Sequence, residues 1–513
     1  MFSQVLSSAT FGVNAYLVQV ETHIERAIHK FFIVGLPDSA VKESSERVFA
    51  AIKNSGFIFP NHRITVNLAP ADVKKEGSAY DLPIAVGIVV ASGQLESPVL
   101  DKYVILGELA LDGSLRPIRG ALVVALEAKS RGLNGLLLPR ANAKEAALVE
   151  GIDVYPIESL KEVVGFLAGE YQMLSPFRVD TREIFGHEQR YALDFADVKG
   201  QESVKRSMEV AAAGAHNIIL IGPPGSGKTM LAKRLPTILP HLAFEEALET
   251  TKIHSVAGIL PPDTALVSTR PFRSPHHTIS DSALVGGGTI PRPGEISLAH
   301  HGVLFLDELP EFARNVLEVM RQPLEDARVT ISRSKMSVEY PANFMLVCAM
   351  NPCPCGNFGN PNQECSCTPA QIQKYVGRIS GPLLDRIDIH VEVPAVKYNE
   401  LASKKSGESS ADIRRRVVRA REIQMKRFAG RRGVFSNADM NSQEIKEFCE
   451  IDAAGADLLK TAMNKLGLSA RAYDRILKVA RTVADLASSE HMRPEHLAEA
   501  IQYRSLDRSF YAI

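Results

Sequence analysis

Residues 218–229 combine an apolar run with the pattern G-x-x-x-x-G-K-T. Glycine allows the tight backbone turns that aim successive N–H groups at phosphate oxygens, and a helix starting near Lys228 adds the positive end of its dipole. Lys228 would reach the β- and γ-phosphates, and the Thr229 hydroxyl would complete a magnesium shell. We therefore predict a nucleoside triphosphate site formed by Gly222, Pro223, Pro224, Gly225, Ser226, Gly227, Lys228 and Thr229.

A second apolar run, residues 302–306, ends in the acids Asp307 and Glu308. A carboxylate at a strand end beside a phosphate loop can hold magnesium, often through water, and we assign that role to Asp307. Glu308 is predicted to orient and polarise the attacking water as general base. A third apolar run ends at Asn351, whose amide could hold that water or sense the γ-phosphate. A turn-forming Asn before proline is the alternative for Asn351.

Four of the six cysteines share a loop rich in Gly, Asn and Pro: Cys353, Cys355, Cys365 and Cys367. Four thiolates around a tetrahedral zinc ion can fold a short loop that has no core of its own. The C-x-C spacing is tighter than the usual C-x-x-C, so reduced free thiols are the alternative. Cys348 and Cys449 are interpreted as core residues.

The chain has 513 residues, and its 59 Lys and Arg balance 59 Asp and Glu. This length is typical of about three domains. A net charge of zero favours neither nucleic acid nor a membrane as a partner, so either would need a local patch. The sequence shows neither a secretion signal nor an apolar run of about 18 residues, which predicts a cytoplasmic protein without a membrane partner.

The pattern of strand-like and helical runs divides the chain into three domains and a linker. Residues 1–168 alternate the two kinds of run, which predicts an α/β domain, and the polar residues 169–193 are interpreted as a linker. Residues 194–396 carry the nucleotide motifs in strand–loop–helix order. Residues 397–513 form a helical domain, with helices predicted at 412–428, 442–450, 453–466, 469–488 and 494–503.

Three longer strings are more specific than the phosphate loop. They are Phe-Arg-Ser-Pro-His-His-Thr-Ile-Ser at 272–280, Pro-Gly-Glu-Ile-Ser-Leu-Ala-His-His-Gly at 293–302 and Arg-Ile-Ser-Gly-Pro-Leu-Leu-Asp-Arg-Ile-Asp at 378–388. With the order of the nucleotide motifs, they resemble the magnesium-chelatase-like AAA+ ATPases, specifically the YifB/ComM subfamily, over nearly the whole chain. The resemblance implies an ATPase that uses ATP and magnesium, with a P-loop αβα sandwich and a C-terminal helical lid.

The same resemblance implies a homo-oligomeric ring, usually a hexamer, with ATP sites shared between neighbouring subunits. Arg386 is then an arginine finger acting in trans, and Arg471 a sensor 2 residue that contacts the γ-phosphate from the lid. By residue type alone, an ordinary salt bridge is the default for each. The implied activity is a DNA motor, a helicase or branch-migration enzyme in homologous recombination during natural transformation. A chelatase-like ATPase that remodels a protein or metal-insertion partner is the alternative.

Residues 1–168 resemble the Lon-type protease domain, of the ribosomal S5 domain 2-like fold, through the strings at 75–85 and 107–122. With Lys-Glu-Gly at 75–77 as anchor, the nucleophile position falls on Ala79, and Ser78 is one residue out of register. The lysine position falls near Leu122. A serine without a base within hydrogen-bond reach is no nucleophile, so we predict a non-proteolytic scaffold or binding module.

Two excursions are candidates for contacts with single-stranded or branched DNA. Residues 262–295 resemble a helix-2 insertion loop, and residues 326–341 a β-hairpin whose tip carries Arg333, Ser334 and Lys335. Arg333 and Lys335 would neutralise phosphates without reading sequence, and a solvated tip is the alternative. Residues 411–433 hold nine Lys and Arg against two acids. This segment could bind nucleic acid, dock on an acidic neighbouring subunit, or simply be a solvated face, and the sequence leaves all three interpretations open.

Overall fold

The computed structural model describes residues 1–170, 174–180, 191–261, 264–288, 291–333, 336–360, 363–395, 407–431 and 433–506. The chain folds into two compact units. The first contains Met1–Glu188 and Phe244–Ser268, and the second contains Gln189–Ala243 and Thr269–Ile513. Residues 244–268 therefore belong to the first unit, although the sequence division places them in the nucleotide-binding domain.

The first unit contains a mixed four-stranded sheet built from β1 (Phe2–Phe11), β2 (Asn14–Glu25), β3 (Lys30–Val34) and β4 (Arg63–Ala69). Their order is β1-β2-β4-β3, with β3 and β4 parallel and the other pairs antiparallel. Strand β1 was not predicted. It buries Ser3 and Ser7 as well as Val5, so its inward face lacks the apolar alternation that marks a strand in the sequence.

The described residues of this α/β unit also form a parallel three-stranded sheet, a short hairpin and six α-helices. The sheet is formed in spatial order by β5 (Tyr103–Ile105), β8 (Gly135–Pro139) and β9 (Asp153–Ile157), and the hairpin by β6 (Glu108–Leu109) and β7 (Leu115–Arg116). The helices are α1 (Ser39–Asn54), α2 (Asp81–Ala91), α3 (Ala121–Ser130), α4 (Arg140–Ala146), α5 (Leu160–Leu167) and α8 (Phe244–Ala257). Ser255 of α8 hydrogen-bonds to the buried carboxylate of Glu145 in α4, a contact within this unit.

The second unit contains a fully parallel five-stranded sheet. Its strands are β10 (Ile218–Ile221), β11 (Phe272–Arg273), β14 (Val303–Leu306), β17 (Met345–Met350) and β18 (Ile389–Glu392). The order is β11-β14-β17-β10-β18, so the strand before the phosphate loop lies between the strands that end at Met350, just before Asn351, and at Glu392. Because all strands run the same way, their carboxyl ends meet at one edge.

Short helices and two hairpins connect these strands. The helices are α6 (Glu202–Gly214), α7 (Lys228–Arg234), α9 (Asp281–Val285), α10 (Glu295–Leu298), α11 (Arg314–Glu318), α12 (Arg321–Asp326), α13 (Pro369–Val376) and α14 (Gly381–Leu384). The hairpins pair β12 (Gly286–Gly287) with β13 (Arg292–Pro293) and β15 (Arg328–Arg333) with β16 (Met336–Pro341). Both hairpins fall within the two predicted excursions.

The helical region contains α15 (Ser410–Arg427), α16 (Ser442–Phe448), α17 (Ala453–Leu466), α18 (Ala470–Leu486) and α19 (Pro494–Gln502). Helix α17 matches its prediction residue for residue, and the other four match within two residues at each end. Helix α15 buries Ile413, Val417 and Ala420 in the same core as the five-stranded sheet. No helix in the described residues is long and apolar enough to cross a membrane. The predicted α/β fold, with a P-loop αβα core and a C-terminal helical region, is confirmed.

Candidate functional site

The phosphate loop joins β10 to α7, and its glycines adopt backbone conformations that other residues rarely adopt. Gly225 has φ +76° and Gly227 φ +89°, values in the left-handed region. A Cβ on Gly222 would lie 2.2 Å from the carbonyl oxygen of Val393, so the loop starts in direct contact with the end of β18. The buried hydroxyl of Ser226 has no hydrogen-bond partner in the described part of the chain. This unpartnered group at the loop fits a phosphate ligand.

Lys228 links the phosphate loop to the end of β17. Its ammonium group donates to the carbonyl oxygens of Gly222 at 2.7 Å and Pro223 at 2.9 Å, and to Asn351 Oδ1 at 3.1 Å. Burial lowers the pKa of Lys228, and the charge of Asp307 opposes that shift. The structure therefore brings together two predicted catalytic residues, Lys228 at the start of α7 and Asn351 after the end of β17.

Thr229 and Asp307, the two predicted magnesium ligands, hydrogen-bond to each other. The Thr229 hydroxyl donates to Asp307 Oδ2 at 2.7 Å, and the backbone N–H of Glu308 donates to Oδ1 at 3.0 Å. Hydroxyl and carboxylate oxygens are the donors that Mg²⁺ prefers, so this pair fits the ion. Bound magnesium would neutralise charge on the phosphates of ATP.

Glu308 leaves the end of β14 with φ +55°, and 57% of its side chain is exposed. Its Oε2 lies 3.2 Å from Nδ1 of His277, which also stacks against His276 at 4.1 Å between ring centroids. From the sequence alone the Pro-His-His string was only a family signature, and this contact was missed. The signal available in the sequence was the pair of adjacent histidines, His276 and His277.

Arg386 and Arg471 lie together, and neither hydrogen-bonds to the phosphate loop within the described residues. Arg386 is 6% exposed and pairs with Glu325, whereas the 64% exposed side chain of Arg471 lies 3.8 Å from Asp385. Burial lowers the pKa of Arg386, and so does the positive charge of three neighbours, Arg321, Arg471 and Arg475. The structure thus separates these two arginines from the contacts of Lys228 and places each beside a carboxylate, Arg386 at Glu325 and Arg471 at Asp385.

The two candidate DNA-contacting hairpins touch each other. The Tyr340 hydroxyl donates to the carbonyl oxygen of Pro291 at 2.8 Å, which ties β16 to the connection before β13. Arg333 ends β15, while its side chain and residues 334–335, including Lys335, lie outside the described residues.

Part of the basic segment at residues 411–433 is paired with carboxylates of the same chain. Arg416 pairs with Glu209 and Glu408, and Arg427 with the buried Asp485. Arg415 and Arg431 also pair with carboxylates. Four of the nine Lys and Arg in this segment, Arg415, Arg416, Arg427 and Arg431, are therefore in ion pairs.

The four clustered cysteines converge after β17. Their Sγ atoms lie within 4.8 Å of one another, and all four are free thiols. Cys348 and Cys449 are buried, as expected for core residues.

In the first unit, the serine and the lysine of the protease-like string at 75–85 have other partners. Ser78 hydrogen-bonds to Glu108, and Lys75 is fully buried with its ammonium group on the carbonyl oxygens of Pro70 and Val73. Leu122 is buried in the apolar interior. Ser78 therefore contacts a carboxylate where a lysine base would be needed.

Comparison with known proteins agrees with this architecture. Profiles described as magnesium chelatase, subunit ChlI; subunit ChlI of Mg-chelatase; and the ChlI C-terminal region match residues 194–401, 20–142 and 407–504. Competence protein ComM of Haemophilus influenzae is 46% identical over 98% of this chain and 97% of its own length. Protein YifB of Escherichia coli is 46% identical over 99% of this chain and 97% of its own length. The magnesium-chelatase 38 kDa subunit of Rhodobacter capsulatus is 26% identical over 40% of this chain and 58% of its own length. The chain therefore belongs to the ComM/YifB family of magnesium-chelatase-like AAA+ ATPases.

Proposed function

We propose that this chain is a subunit of a ring-forming DNA motor, in which ATP hydrolysis drives helicase or branch-migration activity during homologous recombination in natural transformation. The observation that carries the proposal is 46% identity along 98% of the chain with a protein named for competence. Lys228, Asp307, Glu308 and Asn351 would supply the hydrolytic centre. The chain would act in the cytoplasm, where incoming DNA meets the chromosome.

A homo-oligomeric ring, expected to be a hexamer, would complete each site. The proximity of Arg386 and Arg471, with Arg471 3.8 Å from the adjacent Asp385, supports a joint action on the nucleotide of a neighbouring subunit. Arg386 would then exchange its ion pair with Glu325 for phosphate oxygens at the subunit interface.

DNA would contact the pair of hairpins joined through Tyr340 and Pro291. Arg333 and Lys335 at the tip would neutralise backbone phosphates. This assignment predicts binding that depends on salt and hardly on base sequence, because phosphates carry no sequence information.

The test is ATPase activity and DNA binding at low salt with single-stranded, forked and four-way DNA. We expect several-fold stimulation of hydrolysis that declines as salt rises. The double variant R333A/K335A should lose stimulation and keep its basal rate. The control is R328A, at the base of the same hairpin, where Arg328 pairs with Glu339 at 3.6 Å.

Absence of both binding and stimulation would reject the motor. The alternative, a remodelling ATPase like the chelatase subunit, would then gain support from the 26% identity, although that similarity covers 40% of this chain. Electron microscopy with ATP and forked DNA would report ring size and substrate together.

A further inference from the structure

The four-cysteine cluster has the dimensions of a site for one metal ion. The sulfur of Cys353 lies 3.3 Å from that of Cys355 and 3.7 Å from that of Cys365, and the last two are 3.6 Å apart. A disulfide would bring two sulfurs to about 2.05 Å. Around a tetrahedral zinc ion with Zn–S bonds of about 2.3 Å, neighbouring sulfurs stand about 3.8 Å apart. The observed separations are therefore those of thiolates that share a single ion.

The surrounding backbone is arranged to support thiolates. The N–H of Phe358 donates to the sulfur of Cys353 at 3.3 Å, and the N–H of Cys355 donates to that of Cys367 at 3.4 Å. Hydrogen bonds of this kind orient metal ligands and offset their negative charge.

The loop has little else to hold it in place. Among the described residues from 351 to 368, the buried ones are Pro352, Cys353 and Gly356. So little apolar surface cannot order a loop of this length, whereas a metal–thiolate centre can. Sulfur-only ligation selects zinc or iron, and zinc is the ordinary ion of structural four-cysteine sites.

This loop also contacts the ATP site at two points. Cys353 follows Asn351 by two residues, and Asn351 accepts a hydrogen bond from Lys228 at 3.1 Å. Gly356, with φ +82°, lies so close to the phosphate loop that a Cβ there would be 2.5 Å from Cδ of Pro224. Fixing the cysteines therefore fixes the backbone beside Asn351 and Pro224.

We propose that Cys353, Cys355, Cys365 and Cys367 bind one structural zinc ion, and that this zinc site braces the phosphate loop and Asn351. The four cysteines are the ligands, and they act on ATP only through the position of the loop. The proposal does not depend on DNA as the substrate, so it can fail or hold separately from the motor function.

The first test is elemental analysis of the purified full-length protein. We expect about one zinc per subunit, and Co²⁺-substituted protein should show the visible absorption of tetrahedral thiolate coordination. The ligand variant C365S should lose the metal, while C449S, which alters a buried cysteine outside the loop, should keep it. Wild-type protein with a zinc ratio near zero, or with iron instead, would overturn the zinc site whether or not C365S folds.

The second test measures ATP affinity with a fluorescent nucleotide. C365S should bind about tenfold more weakly than wild type, and C449S should match wild type. Far-UV circular dichroism would show whether C365S keeps its helices, and zinc removal from wild type by a chelator should reproduce the loss. Unchanged affinity in zinc-free protein would overturn the bracing role and leave a zinc site that only orders its own loop.

Discussion

The chain places a lysine near a hydroxyl residue in two regions, and the two arrangements differ in where their partners come from. In the second unit, Lys228 contacts Asn351, 123 residues away, and Thr229 contacts Asp307, 78 residues away. In the first unit, the hydrogen bonds of the Lys75 ammonium group in the described chain go to the carbonyl oxygens of Pro70 and Val73, both within five residues of Lys75. Both lysines are buried, so burial does not distinguish them.

The comparison shows that the fold gives two similar lysines different partners and therefore different roles. Lys228 joins the ends of parallel strands, so a ligand bound at that edge meets several polar groups at once. Lys75 holds a turn together, and its ammonium group is occupied by the backbone. We therefore expect changes at Lys228 to alter chemistry and changes at Lys75 to alter stability.

The largest expected effect is loss of nucleotide binding in K228A. Removing the ammonium group eliminates the positive charge that faces the phosphates, so ATP binding and hydrolysis should both become undetectable. The matched variant K75M should keep ATP affinity and lose about 1–3 kcal/mol of stability, because the carbonyl oxygens of Pro70 and Val73 lose their donor. Binding by isothermal calorimetry and unfolding by denaturant would compare the two. Equal ATP affinity in K228A and K75M would contradict the assignment of Lys228 to nucleotide binding and Lys75 to stability.

The next effect separates binding from hydrolysis within the second unit. E308Q keeps the shape of the side chain but cannot accept a proton from water, so turnover should fall by about 10²–10⁴-fold with ATP still bound. Single-turnover hydrolysis with labelled ATP measures this. If E308Q hydrolysed ATP at the wild-type rate, the assignment of Glu308 as general base would be wrong.

A smaller effect is expected from His277, which acts through Glu308. H277A should lower kcat by about 10-fold and leave the KM for ATP unchanged, because the carboxylate loses the group 3.2 Å away that orients it. H276A is the control, since His276 is the exposed member of the pair. A rise in KM without a change in kcat would instead place His277 in nucleotide binding.

The smallest effect is expected in the first unit. S78A should leave ATPase activity unchanged and alter stability by less than about 1 kcal/mol, because the change removes one hydrogen bond, the one that the hydroxyl donates to Glu108. Wild-type protein should show no cleavage of fluorogenic peptides. Peptide hydrolysis that disappears in S78A would make Ser78 a nucleophile and the first unit an enzyme.

Much of the fold could be predicted because its signals are local. Helix α17 was predicted at both ends, since a 3.6-residue apolar period needs only nearby residues to be recognised. Strand β1 was missed because its buried face contains serines. The place of residues 244–268 in the first unit was also missed, since it depends on packing between segments far apart in the chain.

The sequence by itself determined which residues could do chemistry: the phosphate loop, the acids at 307 and 308, Asn351 and the four clustered cysteines all follow from residue type and spacing. The tertiary structure alone decided which of them meet. It joined Lys228 to Asn351 and Glu308 to His277, placed Arg471 beside Asp385 next to Arg386, and paired three arginines of α15 with carboxylates. The physical reason is that propensity and periodicity act over a few residues, whereas these contacts depend on strand order and on which charges packing brings within a few ångströms.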